Sequence, residues 1–438
     1  MKNLFIKNFG CQMNVYDATR MATLLHETMG YHSVEDPILA DLIIFNTCHI
    51  REKAAEKLFS ELGRMRKLLN GREVIFAVGG CVGQAEGEHI FHRAPFVSLV
   101  FGPQNYHRLP AMLERLARDG GRIGDTDESV DSKFDALPAV PDPGPIASVV
   151  VQEGCNRFCT YCVVPFTRGR SFSRPVEEIL EEIRGLTCAG AKEIQLLGQN
   201  VNAYEALDRD GITHDLALLL ERTALIPGVE RIRFVTSHPA DMSHDLVEAF
   251  TRIESLAPYL HLPIQSGSDR ILQRMERGHS VAEYLAWINT LRRLVPDIAL
   301  ASDFIVGFPG ETDADFQETL HLARQVEFDH AYSFVFSPRP GTAADTMNDV
   351  VPLEVRNQRL AELQEVLNAI QLKKNGARVG MVEQVLIEGH SRRSPEELTG
   401  KTAHGRTVNL PGPDSLTGAI VKVQITDGLP NSLRGRLV

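Results

Sequence analysis

The most constraining feature of this 438-residue chain is a compact run of three cysteines. Cys155, Cys159 and Cys162 have a C-x3-C-x2-C spacing and come directly after a segment that predicts a β-strand. Three thiolates on one loop can bind three irons of a [4Fe–4S] cluster, whereas clusters that only carry electrons take four cysteines. The fourth iron then stays open, which is what catalysis needs. A molecule with an amine and a carboxylate, such as S-adenosylmethionine (SAM), can chelate that iron.

Two other interpretations of this run stay open at this point. A structural zinc site needs four closed ligands, and the loop contains no fourth Cys or His. Three unrelated thiols are the other alternative. It is disfavoured, because this spacing combined with an aromatic residue, Tyr161, directly before the third cysteine is specific.

Cysteine count and hydrophobicity indicate the compartment. The chain has seven cysteines, and an odd number argues against a disulfide framework and for metal binding or catalysis. No run of about 18 apolar residues occurs, and the N-terminus predicts a β-strand rather than a signal peptide. We therefore expect a cytoplasmic protein that does not associate with membranes.

The charge is distributed unevenly along the chain. The formal net charge of −11 argues against a nucleic-acid partner when it is averaged over all residues. The segment from Leu372 to Val438, however, contains ten Lys and Arg and six acidic residues, so its formal net charge is +4. The tail therefore predicts a small basic module.

The order of predicted strands and helices indicates an α/β protein with three domains. Residues 1–118 alternate strands with helices, which predicts an N-terminal parallel α/β domain. Residues 119–145 are rich in Asp, Gly and Pro, and we predict a linker there. Residues 146–371 carry six strand–helix units, which predict a partial (β/α)6 barrel. Residues 372–438 predict a small antiparallel β-barrel of a kind that often binds oligonucleotides.

Individual elements follow from apolar patterning. A helix is predicted from Ala55 to Leu69, with Gly71 just past its end. The predicted strands are Leu4–Asn8, Leu42–Asn46, Val74–Val78, Ser148–Gln152, Glu193–Leu197, Arg231–Thr236, Leu260–Leu262, Ala299–Val306 and Ala331–Phe336, with later strands in VEQVLIEG, TVNLP and GAIVKVQIT.

A second group of cysteines is visible only through its position. Cys11, Cys48 and Cys81 each follow a predicted strand of the N-terminal domain. Because the carboxyl ends of parallel strands share one edge, the three thiols are expected to converge. We call them the first cysteine set, and Cys155, Cys159 and Cys162 the second. A buried, merely hydrophobic role is the alternative for each.

Polar residues recur at the predicted carboxyl ends of the barrel strands, where barrel enzymes place their sites. We predict that they contact the cofactor, although satisfied loop residues are the alternative explanation. The candidates, together with the aromatic residue of the cysteine loop and a glycine of the turn IVGFPGE, where the backbone could approach the cofactor closely, are Tyr161, Gln199, Asn200, Ser237, Gln265, Ser266, Asp303 and Gly307. Cys188, near the end of a predicted helix, is expected to pack.

At this point the motifs resemble a known family. GCQMN, NTC followed by IREKA, GGC, EGCNRFCTYCVVPFTRG, LLGQNVNAY, TSHP, HLPIQSGSD, SDFIVGFPGET and SPRPGT are similar to motifs of the methylthiotransferases, most closely the MiaB branch, which acts on adenosine in tRNA. The resemblance covers essentially the whole chain and implies a cluster domain, a radical SAM partial barrel and a C-terminal TRAM domain, in that order.

The resemblance also implies a reaction. A methylthio group is placed on C2 of N6-isopentenyladenosine next to the anticodon in tRNA, and two SAM molecules are used per product. It implies two [4Fe–4S] clusters: an auxiliary cluster on the first cysteine set that holds the sulfur, and a cluster on the second that yields the radical. An aromatic C–H bond of adenine has no useful acidity, which explains why cofactor-based radical chemistry is needed. The expected partners are tRNA, an electron donor of flavodoxin or ferredoxin type, and a sulfur donor.

Two positions depart from the family pattern. His49 follows Cys48 where a small residue is usual, and either a cluster-facing or a solvated histidine is consistent with the sequence. Ala403, His404 and Gly405 replace the usual polar residues of a tail loop, although Arg406 is retained. The resemblance therefore does not extend to contacts between this loop and tRNA.

Other functions remain compatible with the sequence. A methylthiotransferase could act instead on threonylcarbamoyladenosine in tRNA or on a ribosomal protein. A non-catalytic iron–sulfur protein that binds RNA or transfers electrons is the alternative of a different class. Two three-cysteine sets argue against it, because an electron carrier does not need open irons.

Overall fold

A computed structural model describes residues 2–49, 54–127, 133–208, 210–391 and 394–438. Most of the IREKA motif and the tail residues Arg392 and Arg393 lie outside this part. The chain forms two compact units. The first contains Met1–Val140, Glu153–Asn156 and Cys162–Phe172, and the second contains Pro141–Gln152, Arg157–Tyr161 and Ser173–Val438. None of the helices formed by the described residues is both long and apolar enough to span a membrane.

The first unit is built on a six-stranded, all-parallel sheet in the order β2-β1-β3-β4-β5-β6. Its buried strands are nearly continuous apolar runs, as expected for a parallel sheet covered on both faces. Its elements are β1 (Lys2–Asn8), α1 (Gln12–Met29), β2 (Tyr31–Ser33), β3 (Leu42–Thr47), α2 (Ala54–Leu68), β4 (Ile75–Gly80), α3 (Cys81–Glu86), α4 (His89–Arg93), β5 (Val97–Phe101), α5 (Leu109–Asp119) and β6 (Ile123–Asp125).

Helices cover both faces of this sheet and create two apolar cores. On one face, α1 and α5 bury Met21, Leu25 and Leu113 against the strands. On the other, α2 contributes Leu58 and Leu62. The predicted amphipathic helix and the predicted parallel α/β fold are therefore confirmed.

The structure differs from the predicted linker in its first part. Within the stretch 119–145, β6 pairs in parallel with β5 and completes the first sheet. Lys133 is buried as well. The Asp, Gly and Pro content hid a three-residue strand that is too short to show a pattern. The first unit consequently continues to Val140.

The second unit contains the predicted partial barrel. Six parallel strands form two three-stranded ladders, β13-β10-β7 and β14-β15-β16. The amide of Ser237 donates to the carbonyl of His261 at 3.3 Å and links the two ladders. The strands are β7 (Ile146–Val150), β8 (Gln152–Glu153), β9 (Phe172–Ser173), β10 (Glu193–Leu197), β11 (Glu205–Leu207), β12 (Thr213–Asp215), β13 (Arg231–Val235), β14 (Tyr259–His261), β15 (Ala299–Val306) and β16 (His330–Val335).

The predicted strands of the barrel agree with the observed ones to within about two residues, except that the first is divided into β7 and β8. Helix α13 (Leu353–Gly376) spans the expected domain boundary at Leu372, so that boundary falls inside a helix. Helix α6 (Val164–Thr167) belongs to the first unit. The helices of the second unit are α7 (Val176–Cys188), α8 (Leu216–Ala224), α9 (His244–Arg252), α10 (Asp269–Arg274), α11 (Val281–Leu294), α12 (Asp313–Val326) and α13 (Leu353–Gly376).

The C-terminal segment is a closed five-stranded barrel in the order β17-β18-β19-β21-β20. Four of its five strand pairings are antiparallel, and the β19–β21 pairing is parallel. Strands β18 and β21 are additional to the predicted ones. The strands are β17 (Val382–His390), β18 (Glu397–Thr402), β19 (Thr407–Pro411), β20 (Ile420–Gly428) and β21 (Leu433–Leu437).

The β18–β19 hairpin packs against the amino ends of the strands in the partial barrel. Arg233 of β13 donates to the carbonyls of Thr402 and Ala403 at 3.3 and 3.1 Å. Glu193, which is fully buried at the start of β10, holds this guanidinium at 3.1 Å. The loop that departs from the family pattern is thus a docking element for the partial barrel.

Arg406 follows that loop and is also buried. Its guanidinium forms an ion pair with Asp329, and its Nε donates to the side chain of Asn375 at 3.1 Å. Only 3% of the Arg406 side chain is exposed, so this arginine has no free surface for a nucleic acid. The loop also packs closely against Tyr259, because a Cβ added at Gly405 would lie only 3.2 Å from the ring of that tyrosine.

Replacing Arg406 by Met is expected to lower the free energy of unfolding by about 3 kcal/mol, because Asp329 stays buried with less compensation. Urea denaturation of the variant and the parent protein measures the loss. Arg436→Met is the matched control, since Arg436 is exposed, and should change stability by less than about 0.5 kcal/mol. Equal losses in both variants would contradict a docking role for Arg406.

Candidate iron–sulfur and cofactor sites

The first cysteine set lies at the carboxyl ends of three adjacent strands. Cys11 precedes α1 after β1, Cys48 follows β3, and Cys81 begins α3 directly after β4. These strands are neighbours in the order β1-β3-β4. The structure therefore places the three thiols along one sheet edge, as the strand positions predicted.

Buried asparagines fix the backbone around this edge. The Asn14 side-chain amide donates to the Thr47 carbonyl at 2.8 Å, and the Asn46 side-chain amide donates to the Asn14 carbonyl at 2.7 Å. The Asn14 Oδ1 lies 3.2 Å from the Cys11 sulfur. These contacts explain why GCQMN and NTC contain asparagine near the cysteines.

Glycine is required where the first strand approaches Cys48. Gly10 has φ +116°, and a Cβ there would lie 2.1 Å from the Cys48 Cβ and 2.9 Å from its sulfur. A backbone that passes this close leaves no room for any side chain. Gly10 thus forms a tight cradle beside the Cys48 thiol.

Electrostatics favour the thiolate form of Cys11. The hydrogen bond with Cys48 lowers its pKa most, burial opposes that shift, and the charge of Arg168 lowers it further, giving a pKa of about 6. A thiolate is the form that binds iron. The site is therefore prepared for metal binding near neutral pH.

The second cysteine set begins in a tightly held turn of the first unit. Gly154 has φ +71°, and a Cβ there would lie 2.1 Å from the Arg170 carbonyl oxygen. The Cys155 amide donates to the Gly169 carbonyl at 3.2 Å. Cys155 is buried and Cys162 is partly exposed.

The segment that carries Cys159 is held by the second unit. The Thr160 amide and hydroxyl donate to the carbonyls of Met275 and Arg274, both at 3.0 Å. Tyr161 packs against an apolar cluster that includes Met275 and Phe308. The predicted contact of Tyr161 with the cofactor stays a prediction.

Two nitrogen donors face the Cys159 sulfur. Arg277 Nη1 lies 3.4 Å from Cys159 Sγ, and its other terminal nitrogen donates to the Pro263 carbonyl at 2.7 Å. The His238 Nε2 lies 4.0 Å from the same sulfur. Donors around a metal-binding thiolate orient it and tune the metal.

His238 stays neutral in this environment. Burial, followed by the charges of Arg277 and Arg157, lowers its pKa to about 2. Its Nδ1 accepts a hydrogen bond from the Ala240 amide at 3.2 Å. In a neutral ring the proton must then be on Nε2, which points at Cys159. His238 is therefore a neutral donor toward the sulfur.

Two of the predicted cofactor contacts are buried polar groups without a hydrogen-bond partner among the described residues. These are the Ser237 hydroxyl, after β13, and the Asn200 side-chain oxygen, after β10. A buried polar atom without a partner is costly unless a ligand satisfies it. Both residues follow strands of the partial barrel, so the arrangement is compatible with a polar ligand at this end.

The other candidates have different surroundings. Gln265 is buried with φ +78°, a strained conformation that is common at functional sites. The Asp303 carboxylate lies 3.3 Å from His261 Nε2. The Gln199 amide donates to the Gln152 side chain at 3.0 Å. Each stays a prediction as a cofactor contact.

Ser266 and Gly307 are engaged with protein groups. The Ser266 hydroxyl accepts from the Ser268 amide at 3.2 Å, which indicates a structural role in its loop. The Gly307 amide donates to the Glu311 carboxylate at 3.0 Å, and a Cβ on Gly307 would lie 2.0 Å from the Arg356 side chain. Glycine at 307 is thus required by packing as well.

Neighbouring strands β15 and β16 also present aromatic side chains. On β15 and β16, Asp303 pairs with Tyr332 and Ile305 pairs with Phe334, so the four lie on one face. Tyr332 and Phe334 are exposed, at 56% and 48%. This face offers flat apolar surfaces beside a carboxylate, which suits a nucleobase.

Several residues near the cysteines were missed by sequence reasoning. Glu153 and Arg168 lie within the motif EGCNRFCTYCVVPFTRG, so charged residues flanking the cysteines were a usable signal. Asp17, Lys133 and Arg277 are distant in sequence and showed none. The prediction that Cys188 packs is wrong: it ends α7 on the face away from the buried stripe and is exposed.

The chemistry of both cysteine sets is compatible with iron–sulfur clusters. Four of the six thiols are buried: Cys48, Cys81, Cys155 and Cys159. Within the described ranges, no three His, Cys, Asp or Glu side chains are arranged around a single metal ion. A cubane holds its three thiolates on separate irons, farther apart than the ligands of one ion, so the two observations are compatible.

Three protein families match the chain by sequence. The Radical SAM superfamily matches residues 149–323, Uncharacterized protein family UPF0004 matches residues 3–102, and the TRAM domain matches residues 376–438. The fold and these matches define a radical SAM protein with an N-terminal cysteine-bearing domain and a C-terminal TRAM barrel.

Full-length relatives identify the family within this class. The chain is 60% identical over 440 residues to the tRNA-2-methylthio-N(6)-dimethylallyladenosine synthase of Magnetococcus marinus, with all of both chains covered. It is 50% identical to the enzyme of the same name from Methylococcus capsulatus, covering 100% of this chain and 96% of the relative. The chain belongs to the tRNA-2-methylthio-N(6)-dimethylallyladenosine synthase family, and its cofactors are SAM and [4Fe–4S] clusters.

Solved structures support the fold. The cobalamin-dependent SAM radical enzyme OxsB is similar with a TM-score of 0.54 and 13% identity, over 84% of this chain and 58% of that one. The radical SAM methyltransferase TsrM from Kitasatospora setae gives a TM-score of 0.57 at 12% identity, over 79% and 74%. At these identities the likeness concerns the fold alone.

Gly10→Ala is expected to remove iron from the first cysteine set, because its Cβ would displace Cys48. After anaerobic reconstitution, the iron content should fall from about eight to about four atoms per chain. Gly30→Ala is the matched control, because Gly30 also has positive φ but a Cβ added there would meet no neighbouring atom within 4 Å. Equal iron loss in both variants would refute the role of the cradle.

Proposed function

We propose that this protein is a tRNA methylthiotransferase that adds a methylthio group to C2 of N6-isopentenyladenosine next to the anticodon. The observation that carries the proposal is the pair of three-cysteine sets, one along a sheet edge in the N-terminal unit and one in the radical SAM loop. Full-length relatives that are named for this reaction support the choice of substrate.

We assign Cys11, Cys48 and Cys81 to the auxiliary cluster, and Cys155, Cys159 and Cys162 to the SAM-binding cluster. When bound, the clusters supply the electron that cleaves SAM and the site that holds sulfur. The protein orients the sulfur ligands. Arg277 and His238 supply donors to Cys159, and the low pKa of Cys11 keeps its thiolate available.

The residues after the barrel strands are proposed to bind SAM. The Ser237 hydroxyl would donate to or accept from its polar groups, and the Asn200 side-chain oxygen would accept from them, which would satisfy two buried atoms. The face with Asp303, Tyr332 and Phe334 would take the modified base, which has to leave the stack of the anticodon loop to reach the radical.

Only part of the basic tail is available for tRNA. Arg378 pairs with Asp297 and Glu383, Lys374 pairs with Asp329, and Arg406 is buried. The basic residues exposed on the last two strands of the C-terminal barrel are Lys422, Arg434 and Arg436. Arg434 lies 3.7 Å from Glu397, but 55% of its side chain is exposed. We propose that this group contacts the phosphates of the anticodon stem-loop.

We also propose that the protein is cytoplasmic and that its other partners are an electron donor of flavodoxin or ferredoxin type and a sulfur donor.

The central test is nucleoside mass analysis of isopentenylated tRNA after reaction with the anaerobically reconstituted protein, SAM and reductant. Cys11→Ala, Cys48→Ala and Cys81→Ala should keep SAM cleavage to 5′-deoxyadenosine but form no methylthio product. Cys159→Ala should abolish both, and Cys188→Ala, which changes an exposed thiol outside both sets, should change neither.

The failures of this test are distinct. SAM cleavage without a methylthio product in the parent protein would keep the radical SAM class and reject this substrate. Another tRNA adenosine or a ribosomal protein would then become the substrate to test. Methylthio transfer at the parental rate in all three variants of the first set would reject the auxiliary cluster assignment.

Neutralising the exposed group tests the tRNA surface. Replacing Lys422, Arg434 and Arg436 by Gln should weaken tRNA binding and reduce the slope of log K against log salt concentration by about two to three, because fewer counterions are released. Fluorescence anisotropy across a salt series measures the slope. The control replaces three exposed residues elsewhere, Arg118, Arg184 and Lys192, by Gln. An equal change of slope in the control would exclude the C-terminal strands as the contact.

A further inference from the structure

Four charged side chains of the first unit are buried together. Arg168 donates to Asp17 at 2.8 Å and to Glu153 at 2.9 Å. Lys133 contacts Glu153 at 2.6 Å and lies 3.7 Å from Asp17. The two cations and two anions alternate in a closed arrangement, which we call the charge ring. At most 3% of each side chain is exposed.

Burying the four charged side chains of the charge ring is energetically costly. Moving a charge out of water costs several kcal/mol, and attraction within a pair offsets that cost only when geometry is good. Apolar residues of similar volume are often as stable or more stable. Stability alone therefore gives no reason for four buried charges, and their location suggests another role.

The ring lies beside cysteines of both sets within the first unit. Asp17 is on α1, the helix that begins directly after Cys11. Glu153 is two residues before Cys155, and Arg168 precedes Gly169, whose carbonyl accepts from the Cys155 amide. No other described ion pair of this unit is buried to the same degree.

The two central charges lie close to the first cysteine set and have opposite signs. Arg168 directly follows α6, which packs against α3, the helix that begins at Cys81. Asp17 binds Arg168 and lies on α1, the helix that begins directly after Cys11. The ring as a whole is neutral, so the field at the sulfurs depends on which charge lies nearer.

We propose that Arg168 and Asp17 are positioning residues whose opposed, buried charges set the reduction potential of the cluster held by Cys11, Cys48 and Cys81. The inference rests on the proposed function in one respect, the assignment of that cluster. Reduction adds an electron to the cluster, and a nearby positive charge favours the reduced form. Removing the positive charge lowers the potential, and removing the negative charge raises it.

The test measures this potential directly. In the full-length Cys159→Ala/Cys162→Ala background, which lacks the second cluster, electron paramagnetic resonance follows a reductive titration of the remaining cluster. Arg168→Gln should shift the midpoint to more negative values, and Asp17→Asn should shift it to more positive values. Arg168→Lys keeps the charge and should stay near the parent value.

A compensating variant separates electrostatics from structural damage. The double variant Asp17→Asn/Arg168→Gln removes one charge of each sign, so its midpoint should return toward the parent value, and its stability should exceed that of either single variant. This variant also keeps the test decisive if a single variant fails to fold. Arg118→Gln, an exposed arginine of the same unit, is the control and should not shift the midpoint.

The outcomes are separable. Shifts of the same sign in Arg168→Gln and Asp17→Asn, or midpoints that do not move, would overturn the role of the ring while leaving the cluster in place. A background protein that binds no iron would overturn both the ring proposal and the assignment of the first cysteine set. Opposite shifts that cancel in the double variant support the proposal.

Discussion

The convergence of parallel strands at one sheet edge is the constraint on which this molecule depends. Cys11, Cys48 and Cys81 are separated by more than 30 residues, and only adjacent parallel strands bring their carboxyl ends together. The order β1-β3-β4 does this without any local motif. The consequence is close backbone packing, which glycine permits at Gly10 and at Gly80, where a Cβ would lie 2.3 Å from the Thr47 carbonyl. The site is thus a consequence of topology, and the glycines beside it permit the close approach of the backbone.

Buried ion pairs provide specificity in both units. In the first, the charge ring joins α1 to the residues that flank the radical SAM loop. In the second, Glu193 holds Arg233 so that its guanidinium contacts the carbonyls of one hairpin of the C-terminal barrel. Such pairs add little stability compared with apolar packing, but each is satisfied in only one arrangement. We infer that they select the relative placement of elements that hydrophobic burial alone would leave adjustable.

Much of the architecture could be predicted because the buried parallel strands are continuous apolar runs between helices. The boundaries of Glu193–Leu197 and Ala299–Val306 agree with the observed strands for this reason. The short strand β6 could not be found, since three residues show no period. Charge counting failed for a different reason: Arg406 contributes to the basic tail in the sequence, yet Asp329, 77 residues away, neutralises it in a buried pair. Pairing is a property of the fold, and a linear count cannot show it.

The surroundings of Cys159 also depend on which of the buried groups carry a charge. Two donors face its sulfur, but only Arg277 is charged, because burial and the neighbouring arginines hold His238 in its neutral form. A second cation there would repel Arg277 and be desolvated at high cost. The Ala240 amide donates a hydrogen bond to Nδ1 of His238, so the proton of the neutral ring lies on Nε2, which faces the sulfur. One charged and one neutral donor can therefore orient a thiolate without placing two like charges in the same buried space.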